Sequence, residues 1–104
     1  MASLDEIDKA IKIIEKYHQK IIILHCVSSY PTELKNTNLE RIYKLKKVFK
    51  KYHIGLSDHT IGNTAAITAT ALGASAIEKH FTLCRNEKGP DSEFSIEPSE
   101  LKEL

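Results

Sequence analysis

The sequence predicts an α/β fold: three parallel strands with flanking helices, a partial (β/α)₈ TIM barrel. Three observations predict it. Helix-like and strand-like segments alternate in the order α-β-α-β-α-β-(loop)-α, the pattern of parallel strands joined by right-handed crossovers. The run Ile21-Ile22-Ile23-Leu24-His25-Cys26-Val27 is β-branched and almost continuously apolar, as a strand buried on both faces of a parallel sheet requires. Two later strand-like runs each carry a histidine, His59 and His80, at their downstream end. Carboxyl ends of neighbouring parallel strands share one crevice, where such folds place their chemistry. Three strands are roughly three-eighths of a barrel that typically needs about 250 residues. A chain of 104 residues that opens on a helix cap and stops inside a helix therefore reads as a piece of a larger domain. The competing expectation is an independent three-stranded open sheet.

Ser3-Leu4-Asp5-Glu6 has the form of a capping box, with Ser3 as N-cap. Ile7, Ala10, Ile11 and Ile14 follow at i, i+3, i+4, i+7 spacing, one buried helix face that fades near Tyr17 to Lys20. The first strand ends in the polar turn Ser28-Ser29-Tyr30-Pro31-Thr32, where Pro31 forbids a central strand from continuing. A second helix is predicted from Asn38 as N-cap to about Tyr52, with Leu39, Ile42, Leu45 and Phe49 inward. A second strand covers 54–58. Asn63 or Thr64 then opens an alanine-rich helix through Leu72, and Gly73 supplies its left-handed stop. A third strand is expected over 75–82. The loop Cys84 to Glu93 leads to a last helix with Pro98 at its first position.

Charge nearly cancels, with 15 Lys and Arg against 14 Asp and Glu. That balance excludes a dedicated nucleic-acid or membrane-surface protein, which carries a basic excess. The lysines at 44, 46, 47, 50 and 51 interleave with apolar residues at helical spacing and read as a solvated helix face. No apolar run reaches bilayer length and no secretory signal pattern is present, so a cytoplasmic location is expected. Cys26 and Cys84 make no disulfide framework and read as small core residues rather than nucleophiles.

Strand alternation sorts the candidate site. Ser57 and His59 share a face, as do Glu78 and His80, while Leu56, Asp58, Ile77 and Phe81 take the opposite one. Asp58 and Lys79 suit a helix-facing position only at a strand end or paired with each other. On the first strand Cys26, Ser28 and Tyr30 share one parity, which leaves His25 as a structural residue. The crevice set is thus Ser28, Tyr30, Ser57, His59 and His80. Neutral hydroxyls suit phosphate, carboxylate or sugar oxygens, and two imidazoles suit a transition metal such as Mn²⁺ or Zn²⁺. Residue types alone leave metal ligation and hydrogen-bonded core histidines both open. Gly89-Pro90-Asp91 reads either as an ordinary turn or as an acid delivered over the crevice. His18 and His53 should face solvent.

His25-Cys26-Val27-Ser28-Ser29-Tyr30-Pro31-Thr32, Gly55-Leu56-Ser57-Asp58-His59-Thr60 and Ala71-Leu72-Gly73-Ala74 together resemble the sialic acid (N-acetylneuraminate) synthase family. Ile77-Glu78-Lys79-His80-Phe81-Thr82, Gly89-Pro90-Asp91 and Ser95-Ile96-Glu97-Pro98 continue the match in the family's order, and Met1-Ala2-Ser3 resembles a stretch after an earlier strand. The resemblance implies strands six to eight of a (β/α)₈ barrel, with the N-terminal part of the barrel and a C-terminal antifreeze-like domain absent from these residues. It implies condensation of phosphoenolpyruvate with an N-acetylated hexosamine, typically N-acetylmannosamine, to a nine-carbon 2-keto sugar acid. By the same resemblance His59 and His80 are ligands of a divalent metal, Mn²⁺ first and Mg²⁺ or Co²⁺ as alternatives. Ser28 and Ser57 fall where the family contacts phosphoenolpyruvate, and Tyr30 and Asp91 where it contacts the sugar or a metal-bound water. The segment Asp91-Ser92-Glu93-Phe94-Ser95 is closer to pseudaminic acid synthases than to the neuraminate type. Phosphate-binding lysines and the candidate general base lie on earlier strands in the family, and Glu78 and Lys79 do not replace them. A homodimer is implied for the full-length protein, with no nucleic-acid or membrane partner, and no activity is expected of these 104 residues alone. The alternative is a non-catalytic truncated remnant or an interaction-only fragment.

Overall fold

The computed structural model describes residues 2–104; Met1, and with it part of the Met1-Ala2-Ser3 match, lies outside the described residues. The elements are α1 (Leu4–Ile14), β1 (Ile22–Cys26), α2 (Glu40–Val48), β2 (His53–Asp58), α3 (Thr64–Ala71), β3 (Ile77–Lys79) and α4 (Pro98–Glu103), with 3-10 turns at Leu34–Asn36 and Ser92–Phe94. The strands form one sheet in the order β1-β2-β3, both pairs parallel. This is the α/β arrangement of three parallel strands with flanking helices that the alternating pattern predicts.

Local chemistry explains most boundaries. The capping box of α1 is complete: the Glu6 amide donates to Ser3 Oγ at 3.3 Å, and the Ser3 amide donates to Glu6 Oε2 at 2.7 Å. The Ser3 backbone amide, helped by its hydroxyl, holds the Glu6 carboxyl below its ordinary value. At the other end of α1, Glu15 accepts from Lys51 and from the Tyr52 hydroxyl, tying the helix to the approach to β2. Gly73 sits at φ +95° after α3, the left-handed stop expected of it.

Four expectations need correction. Asn38 does not cap α2; it lies at a left-handed φ of 48°, and the helix starts at Glu40 and closes at Val48, with Phe49 already out of helical geometry. The third strand is shorter than 75–82 because after Lys79 the backbone pairs only once more, Phe81 against Ile96. Nor is β1 buried on both faces, since Ile22 is 54% exposed and only His25 in the strand is buried. Among the described residues β1 pairs with β2 alone, so one edge and part of its apolar surface meet no partner. The stripe on α1 is likewise covered only in part: Ile11 is buried, whereas Ala10 and Ile14 are exposed.

The core lies between the sheet and the helices. Ile42 and Leu45 of α2 with Phe49 just after it, Ala65 and Ala69 of α3 and Ile11 of α1 pack on Ile54 and Leu56 of β2. His25 joins this side, donating Nε2–H to the Thr37 carbonyl at 2.8 Å, a structural role. The side chain of Asp58 also turns toward the helices, and there it meets Lys79. The ammonium donates to Asp58 Oδ2 at 2.7 Å and to the Thr60 and Gly62 carbonyls at 3.0 Å each, which uses all three of its protons. Asp58 Oδ1 accepts the Thr60 amide at 2.9 Å. Both side chains are almost inaccessible, at 5% for Lys79 and 1% for Asp58.

Two outcomes follow for stability, each read by chemical denaturation. Lys79→Met strands a buried carboxylate and costs about 3–5 kcal/mol, whereas Asp58→Leu with Lys79→Met recovers a large part of that loss. Gly55→Ala costs about 1–3 kcal/mol, because an added Cβ would lie 2.5 Å from the Ala76 carbonyl oxygen and 2.7 Å from Leu24 Cδ2.

Candidate functional site

The register sets the floor of the site. Cys26, Ser57 and Glu78 are side by side across the three strands, as are His25, Leu56 and Ile77 one residue earlier. Leu56 belongs to the helix-side core, so alternation turns Ser57 and Glu78 to the other face. His59 and His80 lie two residues further along the same parity, just beyond the ends of β2 and β3. The structure brings them together, with ring centroids 5.1 Å apart and planes at 62°. His59 is buried at 7% exposure, and His80 is half-buried.

Each imidazole faces an acceptor on its Nδ1 side, and that of His59 is hydrogen-bonded. Nδ1 of His59 is 2.8 Å from the Val27 carbonyl oxygen. A carbonyl only accepts, so this nitrogen carries the proton and donates, and neutral His59 keeps a lone pair on Nε2. Ser57 Oγ lies 3.4 Å from that Nε2 and donates its own proton to Glu78 Oε1 at 2.7 Å. Nδ1 of His80 is 3.5 Å from Asp91 Oδ2, an ion-pair distance.

Two loops complete the site. In the first, the Thr32 amide donates to the His59 carbonyl at 2.8 Å and the Thr32 hydroxyl to the Ser29 carbonyl at 2.7 Å. This anchor lays the Tyr30 ring against His59, 4.3 Å between centroids, and 5.9 Å from His80. The second loop runs from Cys84 to Glu97. It is tied to β3 by the Ile96 amide on the His80 carbonyl at 2.7 Å and the Thr82 amide on the Ile96 carbonyl at 3.0 Å. Arg85 braces it from within, donating Nε–H to the Ser95 carbonyl at 2.9 Å and pairing with Glu97 and Glu100. The loop thereby delivers Asp91 and also Phe94, whose ring lies 5.1 Å from His80 and 5.3 Å from Tyr30.

Of the predicted residues, Tyr30, Ser57, His59, His80 and Asp91 come together. Ser28 is exposed and makes no contact with that cluster through its side chain; it lines a cavity of about 250 Å³ with Cys26, Ile7, Ile23, Arg41 and Leu45. Phe94 joins the cluster without having been singled out, and its only signal was an aromatic three residues after Asp91. The Val27 carbonyl leaves no side-chain signal at all.

Among the described residues no group of three or more His, Cys, Asp or Glu side chains is arranged to hold a metal ion. The two histidines fit part of such a site. His59 engages an acceptor through Nδ1 and keeps its Nε2 lone pair, the arrangement that orients ligand imidazoles in metalloproteins, and the Asp91 carboxylate lies 3.5 Å from Nδ1 of His80. Cys26 adds nothing to it, because its sulfur lies 4.0 Å from Nδ1 of His59, the protonated nitrogen. Further ligands have to come from substrate, water or other residues.

Comparison with known proteins places this geometry in a family. A model of the NeuB family matches residues 1–104. The N,N'-diacetyllegionaminic acid synthase of Campylobacter jejuni is 46% identical across all of this chain, which covers 32% of that enzyme. The pseudaminic acid synthase of Helicobacter pylori is 41% identical, again across all of this chain and 31% of its own length. The crystal structure of the N-acetylneuraminic acid synthetase of Leptospira borgpetersenii superposes with a TM-score of 0.91 at 44% identity, over 99% of this chain and 36% of that one. The chain thus spans about a third of the length of the relatives it matches. With a family model over its whole length and relatives above 40% identity at full coverage of it, this chain belongs to the NeuB family.

Proposed function

We propose that these residues form the metal-holding part of a nonulosonic acid synthase site, built on about strands six to eight of a (β/α)₈ barrel. The reaction is condensation of phosphoenolpyruvate with an N-acetylated hexosamine to give a nine-carbon 2-keto acid and phosphate. The observation that carries this reading is the histidine pair, ring centroids 5.1 Å apart, with the proton of His59 held on Nδ1 by the Val27 carbonyl and the Asp91 carboxylate beside His80. His59 and His80 would hold a divalent cation, Mn²⁺ in the first instance, with Mg²⁺ or Co²⁺ as alternatives. Such an ion supplies Lewis acidity toward the aldehyde oxygen of the open-chain sugar.

The remaining roles belong to the chain's own side chains. The Val27 carbonyl fixes the orientation of His59 through its Nδ1 proton, and the Asp91 carboxylate faces Nδ1 of His80 at 3.5 Å. Tyr30 and Phe94 flank the histidines with their rings, and the Tyr30 hydroxyl is available to sugar oxygens. Ser57 faces the same crevice as His59 and suits contact with phosphoenolpyruvate. Ser28, given the same ligand by family resemblance, is exposed and follows Val27, whose carbonyl holds His59. The lysines that neutralise phosphate and the acid–base group of the reaction are assigned to barrel strands outside these 104 residues. The full-length enzyme is proposed to be a cytoplasmic homodimer; within the described residues no helix is long and apolar enough to cross a membrane. Identities of 46% to the legionaminic and 41% to the pseudaminic synthase leave both sugar branches to be assayed.

Phosphate release from phosphoenolpyruvate, dependent on an N-acetylated hexosamine and Mn²⁺, tests the reading in a protein carrying the complete barrel. His59→Ala and His80→Ala are each expected to lower turnover by about a hundredfold or more, with normal far-ultraviolet circular dichroism. Unchanged turnover in both variants would remove the metal assignment, and no turnover in the unsubstituted protein would favour a non-catalytic role. Asp91→Asn is expected to weaken Mn²⁺ binding by about tenfold, because a weaker acceptor then faces Nδ1 of His80.

A further inference from the structure

We propose that Glu78 is a positioning residue for the metal site: by taking the hydroxyl proton of Ser57, it keeps Nε2 of His59 free for a cation. This inference rests on the metal reading of the histidine pair and adds to it a residue two positions before His80.

The geometry is a competition for one proton. Ser57 Oγ lies between two acceptors, 2.7 Å from Glu78 Oε1 and 3.4 Å from His59 Nε2. A hydroxyl has a single proton to give. The carboxylate is the closer and stronger acceptor, at a distance typical of charge-assisted O–H···O⁻ bonds. Nε2 has no proton of its own, because the Val27 carbonyl holds the ring proton on Nδ1. With its hydrogen turned to Glu78, Ser57 can offer Nε2 only lone pairs, and the nitrogen remains without a donor. Take the carboxylate away and the hydroxyl rotates about its Cβ–Oγ bond to donate to Nε2. A cation would then have to break that bond before taking the lone pair.

The fold makes this arrangement specific. Ser57 and Glu78 are direct partners in the β2–β3 register, so their side chains stand next to each other on the crevice face. Ser57 is 8% exposed, which keeps water from relieving the competition, whereas Glu78 is exposed and can be replaced without opening the core.

The test uses Mn²⁺ alone, titrated into the full chain and followed by the electron paramagnetic resonance of the free ion. Glu78→Ala is expected to weaken binding by about tenfold to a hundredfold, the range found when groups behind metal ligands are removed. Glu78→Gln keeps a carbonyl oxygen as acceptor and should stay close to the unsubstituted protein. Adding Ser57→Ala to Glu78→Ala removes the competing hydroxyl and should recover most of the affinity. In ¹⁵N spectra without metal, the His59 Nε2 resonance should shift toward the hydrogen-bonded range in Glu78→Ala and return in the double variant. If Glu78→Ala binds Mn²⁺ as tightly as the unsubstituted chain, or Ser57→Ala brings no recovery, the positioning role is wrong and the metal reading stands. If the unsubstituted chain binds no Mn²⁺, the metal reading itself fails and this role with it.

Discussion

The site depends on one buried ion pair, Asp58 with Lys79. Both groups point toward the helices, where an unpaired charge would be costly, and they satisfy each other there together with the Thr60 amide and the Thr60 and Gly62 carbonyls. The pair joins the last residue of β2 to the last residue of β3. His59 follows one partner and His80 follows the other. Because side chains alternate along extended backbone, a charge pair locked on the helix side commits the next residue of each strand to the opposite face. The 5.1 Å approach of the imidazoles is the visible result.

Around that anchor, the functional face is assembled from backbone as much as from side chains. The Val27 carbonyl selects the protonated nitrogen of His59, and the His59 and His80 carbonyls accept the amides that dock the two loops. Each loop then contributes an aromatic ring, Tyr30 from the first and Phe94 from the second, and the second adds the carboxylate of Asp91. The helix side does a different job. It holds the apolar core and the structural histidine His25, which shares a strand with Cys26 but faces the other way.

Alternation made much of this legible. Parity alone separated His25 from the crevice set, placed Ser57 beside His59, and named a mutual pair as one way Asp58 and Lys79 could occupy helix-facing positions. The element order and the Gly73 stop were equally readable, because period and left-handed glycine are local properties. Less legible were features that depend on what a segment touches. The run 21–27 looks like a fully buried strand, yet burial requires neighbours on both faces, and β1 has a partner on one edge only among the described residues. Asn38 looks like a helix cap until the turn at Leu34–Asn36 and the packing of α2 place it at a left-handed φ.

The amino-acid sequence by itself determined the alternating elements, the face each strand residue takes and the family resemblance, since all three are written in spacing and residue type along a continuous segment. Only the tertiary structure decided which ring nitrogen of His59 is protonated, that Phe94 closes the cluster, and that Ser57 gives its proton to Glu78. Each of these is set by groups distant in sequence, carbonyls and carboxylates brought within hydrogen-bond range by the parallel register and the two docked loops. A contact across 21 residues, such as Ser57 with Glu78, has no local signature; it exists only when β2 and β3 lie side by side.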